Sequence, residues 1–240
     1  MAEKINFINL EEIKIKMYTK LKPSGWADVL KTFILSKDFD DILRHLMKEV
    51  NEDKRFTPPL KHIFRAFEEC PYDKLKCVII GQDPYNFQGS ADGIAFSCSN
   101  SSKVQASLQF MFNEIQDTVY KGKEYKSDPD LKCWSNQGIL LINSAFTTTI
   151  NKTGQHYAIW QPFITFLLDM LMANNPGIIY VCLGKKAQEW LELINENNFK
   201  LYASHPASGK HNEEEKWDSK DLFNQISTLM KKHHNYKMKW

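Results

Sequence analysis

Between Lys74 and Pro206 the chain alternates two textures. KLKCVIIG (74–81), GILLINSAF (138–146), GIIYVCLG (177–184) and KLYASHP (200–206) are short apolar runs that stop on polar groups. Segments with helical spacing separate and follow them: VQASLQFMFNEIQDTVY (104–120), WQPFITFLLDMLMANN (160–175), KKAQEWLELINENN (185–198) and WDSKDLFNQISTLMKK (217–232). Strands this continuously apolar need cover on both faces, and the intervening helices can supply it. The pattern therefore predicts an α/β fold: a single domain of three α/β/α layers around a central, mostly parallel four-stranded sheet. Strand order cannot be read from it. Ahead of the sheet, the first 55 residues read as helical. Phe39, Ile42, Leu43, Leu46 and Val50 recur at near-helical spacing in FDDILRHLMKEV (39–50). TPPLKHIFRAF (57–67) reads as a short helix with Thr57 as its cap and prolines at its start.

Composition narrows the class without naming a function. Apolar residues at 42% and charged residues at 25% describe an ordinary globular chain. A formal charge of +2 does not by itself require a polyanionic partner, so any basic surface has to be local. One local candidate is the basic tail KKHHNYKMKW (231–240), read first as a solvated or frayed terminus. The first residues lack the apolar core of a signal peptide, and FITFLLDMLMA carries an aspartate and is too short to span a bilayer. The expectation is a soluble protein with no membrane partner, cytoplasmic, or nuclear in a eukaryotic or viral setting. Five widely spaced cysteines without a C-x-x-C pair fit reduced, buried thiols. No metal or other cofactor is expected. HNEEEKW (211–217) invites a metal reading but fits better as an acidic first turn before a helix.

The chemistry is concentrated where strands end. CVII runs into Gln82-Asp83-Pro84-Tyr85, ILLI ends on Asn143, IIYVCL is followed by Gly184-Lys185, and KLYAS by His205. Ligands in open α/β sheets bind at the carboxyl ends of the strands, so these groups can converge on one cleft. Each alone has a plain explanation as a turn former, strand cap, helix entry or structural histidine. Together they suggest a polar site. A partly screened aspartate can hold and orient a water. Histidine on a facing wall can donate to a developing anion. Asparagine can read the amide-like edge of a heterocycle. Phe96, two residues after Ile94 on an expected strand, offers a stacking face if it is not simply core. No G-x-S-x-G elbow, phosphate loop or dinucleotide fingerprint is present, and Cys98 has no activating neighbour.

GQDPY (81–85) continues through GSADGIAFS (89–97), and SLQFMFNEI, CWSNQGILLINSAFT, WQPFITFLLDML, VCLGKKAQ and SHPAS follow in order. This succession resembles the family-1 uracil-DNA glycosylases, collinearly from about Trp26 to about Met230. The resemblance implies a glycosylase-like domain at 26–230, with 1–25 as an N-terminal extension and 231–240 as a tail. It also implies a cofactor-free, monomeric DNA repair enzyme that flips uracil out of DNA and hydrolyses its N-glycosidic bond. Carried over by position, Asp83 would place the water and His205 would stabilise the uracil anion. Gln82 would line the pocket, Tyr85 would exclude the thymine methyl, Phe96 would stack on the base, and Asn143 would read its edge. Ser107, Gly184, Lys185 and Ser208 would meet the DNA backbone. Partners would be uracil-containing DNA and, in this family, a uracil-glycosylase inhibitor protein.

Four departures from the family pattern qualify this reading. Asn86 and Asp92 stand where histidines are usual, and SNSSKVQA (99–106) replaces a proline-rich loop. HPASGK replaces HPSPLS, putting Ala207 at a phosphate-contacting serine and Gly209 at the leucine that wedges into the duplex. Asn86 could still donate to phosphate or sugar, and Lys210 or His211 could stand in for the wedge. Asp92 would add negative charge beside the DNA unless a local lysine pairs with it. Three alternatives remain: a glycosylase for another modified pyrimidine, for instance in phage defence; a non-catalytic module binding DNA or a replication partner; and a generic α/β hydrolase, for which no nucleophile is evident.

Overall fold

The computed structural model describes residues 9–211 and 217–240, without the side chain of His211. Three helices come first: α1 (Leu10–Leu21), α2 (Trp26–Ile34) and α3 (Lys37–Asn51). Asn9 caps α1 by accepting from the Glu11 N–H, and Ser36 caps α3 through the Phe39 N–H. There follow β1 (Phe56–Thr57), α4 (Arg65–Glu69), β2 (Cys77–Gly81), α5 (Ala106–Glu114), α6 (Lys132–Ser135), β3 (Ile139–Asn143) and β4 (Thr148–Thr149). The chain continues with α7 (Tyr157–Asn174), β5 (Ile179–Leu183), α8 (Lys185–Gln188), β6 (Phe199–Ala203) and α9 (Leu222–His234).

The sheet has the order β3-β2-β5-β6 and every pairing in it is parallel. Each residue of β2, β3 and β5 is buried, as strands covered on both faces must be. On the edge strand β6 burial alternates, and Tyr202 is exposed. An aromatic cluster ties the N-terminal helices to this frame. Phe67 of α4 stacks on Phe146 after β3 at 5.8 Å, and Phe163 of α7 meets Phe33 of α2 at 4.9 Å.

Several local expectations change. Thr57 is not a helix cap: it pairs with Thr148 in a small antiparallel ladder, β1 with β4, and the helix starts at Arg65. The helix expected over 104–120 is α5 followed by a π turn at Ile115–Val119, and that over 185–198 is α8 plus a 3₁₀ turn at Glu189–Glu192. Phe96 lies on no strand, its φ being +66° in an irregular loop. The C-terminal segment exposes its lysines but is anchored rather than frayed. Met238 and Trp240 are buried, with the Trp240 ring 5.1 Å from Trp134 and 4.8 Å from Phe223. Trp240 also donates its indole N–H to Ser227 at 2.9 Å.

Cys70, Cys77, Cys98 and Cys182 are buried unpaired thiols, and Cys133 is exposed. Burial pushes Cys70 and Cys182 up to about 12, which keeps both protonated and unreactive. No helix among the described residues is long and apolar enough to cross a membrane.

Candidate active site

The parallel sheet places the carboxyl ends of its strands along one edge, and the polar strand ends gather there. Gly81 at the end of β2 lies in register with Asn143 at the end of β3. A side chain at position 81 would sit 2.5 Å from Asn143 Oδ1 and 2.9 Å from the Phe96 ring. Glycine there lets the amide and the ring close over the strand end.

A cavity of about 210 Å³ opens at this point, lined by Gln82, Asp83, Tyr85, Asn86, Phe96, Ser107, Asn143 and His205, with Pro58, Phe146 and Thr153 among the others. It is smaller than the roughly 300–1,000 Å³ of pockets for drug-sized ligands, so it suits one small ring. Gly184, Lys185, Ser208 and Lys210 do not line it. Gly184 packs against His205, Ser208 donates its N–H to the His205 carbonyl at 2.8 Å, and the Lys185 and Lys210 side chains are exposed.

Asp83 is held from a distant loop. Its Oδ2 accepts the Gly154 N–H at 2.7 Å, while the buried Oδ1 has no hydrogen-bond partner among the described residues. Burial raises its pKa above the usual aspartate range, and the Gly154 N–H partly offsets that. The Tyr157 hydroxyl lies beside this carboxylate without hydrogen-bonding to it. Burial and the adjacent charge push the phenol's pKa upward.

His205 follows β6. The Ala207 N–H donates to its Nδ1 at 3.2 Å, which makes Nε2 the protonated nitrogen of the neutral ring. Burial lowers its pKa and so favours that neutral form. Its ring stands 6.1 Å from that of Phe96. Asn143 is 8% exposed, and its side-chain amide makes no hydrogen bond to the described residues.

Tyr85 is fixed as a wall. Its hydroxyl donates to the Phe96 carbonyl at 2.8 Å and lies 2.8 Å from Ser107 Oγ. With its proton given to the carbonyl, the phenol oxygen accepts from Ser107. Ser107 is only 4% exposed and therefore braces the cleft from within.

Two of the four departures acquire physical reasons. Asp92 is fully buried and does not line the cavity. It pairs with an arginine instead of a lysine: Arg65 Nη1 lies 3.0 Å from Oδ2. It also accepts from Ser97 Oγ, the Ser99 N–H and hydroxyl, and the Ile94 N–H. Arg65 bridges onward to Asp130 at 2.8 Å. Position 209 has no room for a leucine, because a Cβ there would meet the Phe110 ring at 2.7 Å and the Trp217 nitrogen at 2.9 Å. The acidic stretch of HNEEEKW lies outside the described residues.

Gly154, Tyr157 and Arg65 are the contributors that pattern reading missed. Gly154 is 71 residues from Asp83, and nothing local marks it. Arg65 had a weak signal as a cation flanked by apolar positions in HIFRAF.

Comparison with known proteins gives one family. Residues 67–229 match the Uracil DNA glycosylase superfamily. The uracil-DNA glycosylase of Campylobacter lari is 33% identical over 202 residues, covering 83% of this chain and 84% of its own. That of Phocaeicola vulgatus is 34% identical over 173 residues, covering 71% and 78%. Among solved structures, mimivirus uracil-DNA glycosylase superposes with a TM-score of 0.79 at 24% identity, covering 96% of this chain and 88% of that one. A mimivirus variant in complex with UGI superposes with a TM-score of 0.77 at 25% identity, covering 89% and 85%.

Proposed function

Because this chain belongs to the uracil-DNA glycosylase superfamily, we propose that it is a DNA repair enzyme excising uracil from DNA, and that the cleft at the strand ends performs the hydrolysis. The observation that carries the mechanism is convergence: Asp83, Asn143 and His205, from three strand ends, line one cavity sized for a single ring.

A glycosidic bond inside a duplex is inaccessible, so the nucleotide has to be extruded, at roughly a few kcal/mol. The extruded ring stacks on Phe96 while Asn143 reads its N3–H and O4. Cytosine would set donor against donor and leave a buried group unpaired. Tyr85, held by two hydrogen bonds, occupies the space a thymine methyl would need. Asp83 Oδ1 orients a water toward the sugar C1′, and its charge stabilises the cationic sugar as the bond to N1 breaks. His205 donates Nε2–H to O2 as negative charge builds on the leaving base. The water adds to C1′ and gives up a proton to Asp83, the uracil anion takes up a proton on release, and the products are free uracil and an abasic site. No step uses a cofactor.

Asn86, Lys185, Ser208 and Lys210, with the Gly184 backbone, are proposed to hold phosphates beside the lesion, and Ser107 acts from inside by bracing Tyr85. These contacts would make binding fall with salt. The enzyme would act as a monomer wherever cellular DNA is held, in cytoplasm or nucleus. A protein inhibitor of the kind in the mimivirus complex with UGI is a partner to test by adding UGI to the assay.

The test is incubation with end-labelled oligonucleotides bearing uracil, thymine or modified cytosines, followed by alkaline cleavage at abasic sites. Scission at uracil alone is expected. Scission only at a modified cytosine would instead favour the other-pyrimidine reading, whose motive is weaker because Asp92 does not line the pocket.

A further inference from the structure

We propose that His45, Glu49 and His156 form a site for a divalent transition ion of the zinc class, separate from the uracil pocket. His45 and Glu49 stand four residues apart on α3 and so share a helix face. His156, 1% exposed, immediately precedes α7 and points its Nε2 at Glu49 Oε2, 3.0 Å away. One ligating atom from each of the three lies within 4.8 Å of the others. In a tetrahedral site with bonds of about 2.0–2.1 Å, neighbouring ligand atoms are roughly 3.3 Å apart. The His156–Glu49 pair already has nearly that spacing. The partly buried His45 has to turn toward the pair to close the rest.

The outer layer is also in place. Thr147 Oγ1 lies 2.8 Å from His156 Nδ1 and accepts the Trp160 indole N–H at 2.7 Å. The Thr149 hydroxyl donates to the other Glu49 oxygen at 2.9 Å. Ring and carboxylate are thus oriented from behind, as metal ligands usually are. An ion on Nε2 moves the ring proton to Nδ1, which then donates to Thr147, and the freed Glu49 oxygen turns to the ion. Two imidazoles and one carboxylate suit zinc or cobalt better than magnesium or calcium, which take oxygen ligands.

The same contacts, without His45, describe a plain hydrogen-bonded pair tying α3 to the loop before α7. His45 separates the two readings: it makes no hydrogen bond to the described residues, yet its ring stands edge-on to His156 at 5.4 Å. An ion there would clamp α3 to the 153–157 segment, whose Gly154 holds Asp83.

The experiment is titration of the full chain, stripped with chelator, with Co²⁺ alone, comparing wild type with His45→Ala. Wild type should develop saturable visible bands of tetrahedral intensity at one equivalent, and Zn²⁺ should abolish them and raise Tm by roughly a few degrees. His45→Ala should lose both responses while keeping the metal-free Tm and uracil excision. Absence of the bands in wild type, or their persistence in His45→Ala through other histidines, overturns the proposal.

Discussion

At the scale of single residues, side chains in this cleft matter as much for what holds them as for what they are. In the proposed mechanism Tyr85 excludes a methyl group because two hydrogen bonds hold its hydroxyl in place. Tyr85→Ala should therefore admit thymine, measured as new alkali-labile scission at thymine in single-stranded oligonucleotides; a variant inert on thymine would remove Tyr85 from the specificity role. Asp92 looks in the sequence like a charge set against DNA. It is instead the hub of a buried network with Arg65, Ser97 and Ser99. Arg65 would keep Asp130, but without Asp92 the Ile94 and Ser99 N–H groups and the Ser97 and Ser99 hydroxyls lose an acceptor, at about 1–3 kcal/mol for each buried donor left unmet. Asp92→Ala should lower stability on that scale in urea unfolding, and unchanged stability would contradict the network's importance.

At the scale of elements, the four strands and the main helices follow from apolar periodicity, because burial on both faces leaves a continuous apolar run. Boundaries moved where local geometry competes with that pattern. Phe96 was expected on a strand, but its backbone turns left-handed so that its carbonyl meets Tyr85 and its ring meets the cavity. The C-terminal segment departs from its pattern for a different reason: its charge is real, but Met238 and Trp240 sit among four lysines and two histidines and pack inward. Trp240 fills space against Trp134 and Phe223, and truncating a buried tryptophan costs about 3–5 kcal/mol. Trp240→Ala should drop Tm by roughly 6 °C or more, whereas a frayed tail would show no shift in calorimetry.

At the scale of the whole molecule, the field and shape of the cleft govern pH response and substrate form. Burial raises Asp83 above about 3.9 and lowers His205 below about 6.5. The proposed mechanism needs Asp83 ionised and His205 neutral, so kcat/KM should fall on the acid side with a midpoint above about 3.9. A pH–rate profile that stays flat down through about 3.9 would contradict this. The two groups pull stability in opposite directions. The unfolded state protonates His205 more readily, so its contribution rises with pH from the depressed folded pKa up to about 6.5. The folded state protonates Asp83 more readily, so its contribution declines as pH rises from about 3.9 through the raised folded pKa. With Gly209 pressed against Phe110, position 209 has no wedge to hold a duplex open. Turnover on single-stranded uracil DNA should accordingly match or exceed that on duplex, and a strong duplex preference would sink that expectation.

Strand ends, pocket residues and family could all be read from linear order, since motifs at strand termini depend on a few consecutive residues and on the polarity of the parallel sheet. Partners drawn from far along the chain could not. Gly154 reaches Asp83, Arg65 neutralises Asp92, Trp240 returns to Trp134, and His156 meets Glu49 across 107 positions. None of these pairings has a local signature. Each exists because packing brought two partly or fully buried groups together, and a polar group shielded from water has to be satisfied by whatever neighbour the fold supplies.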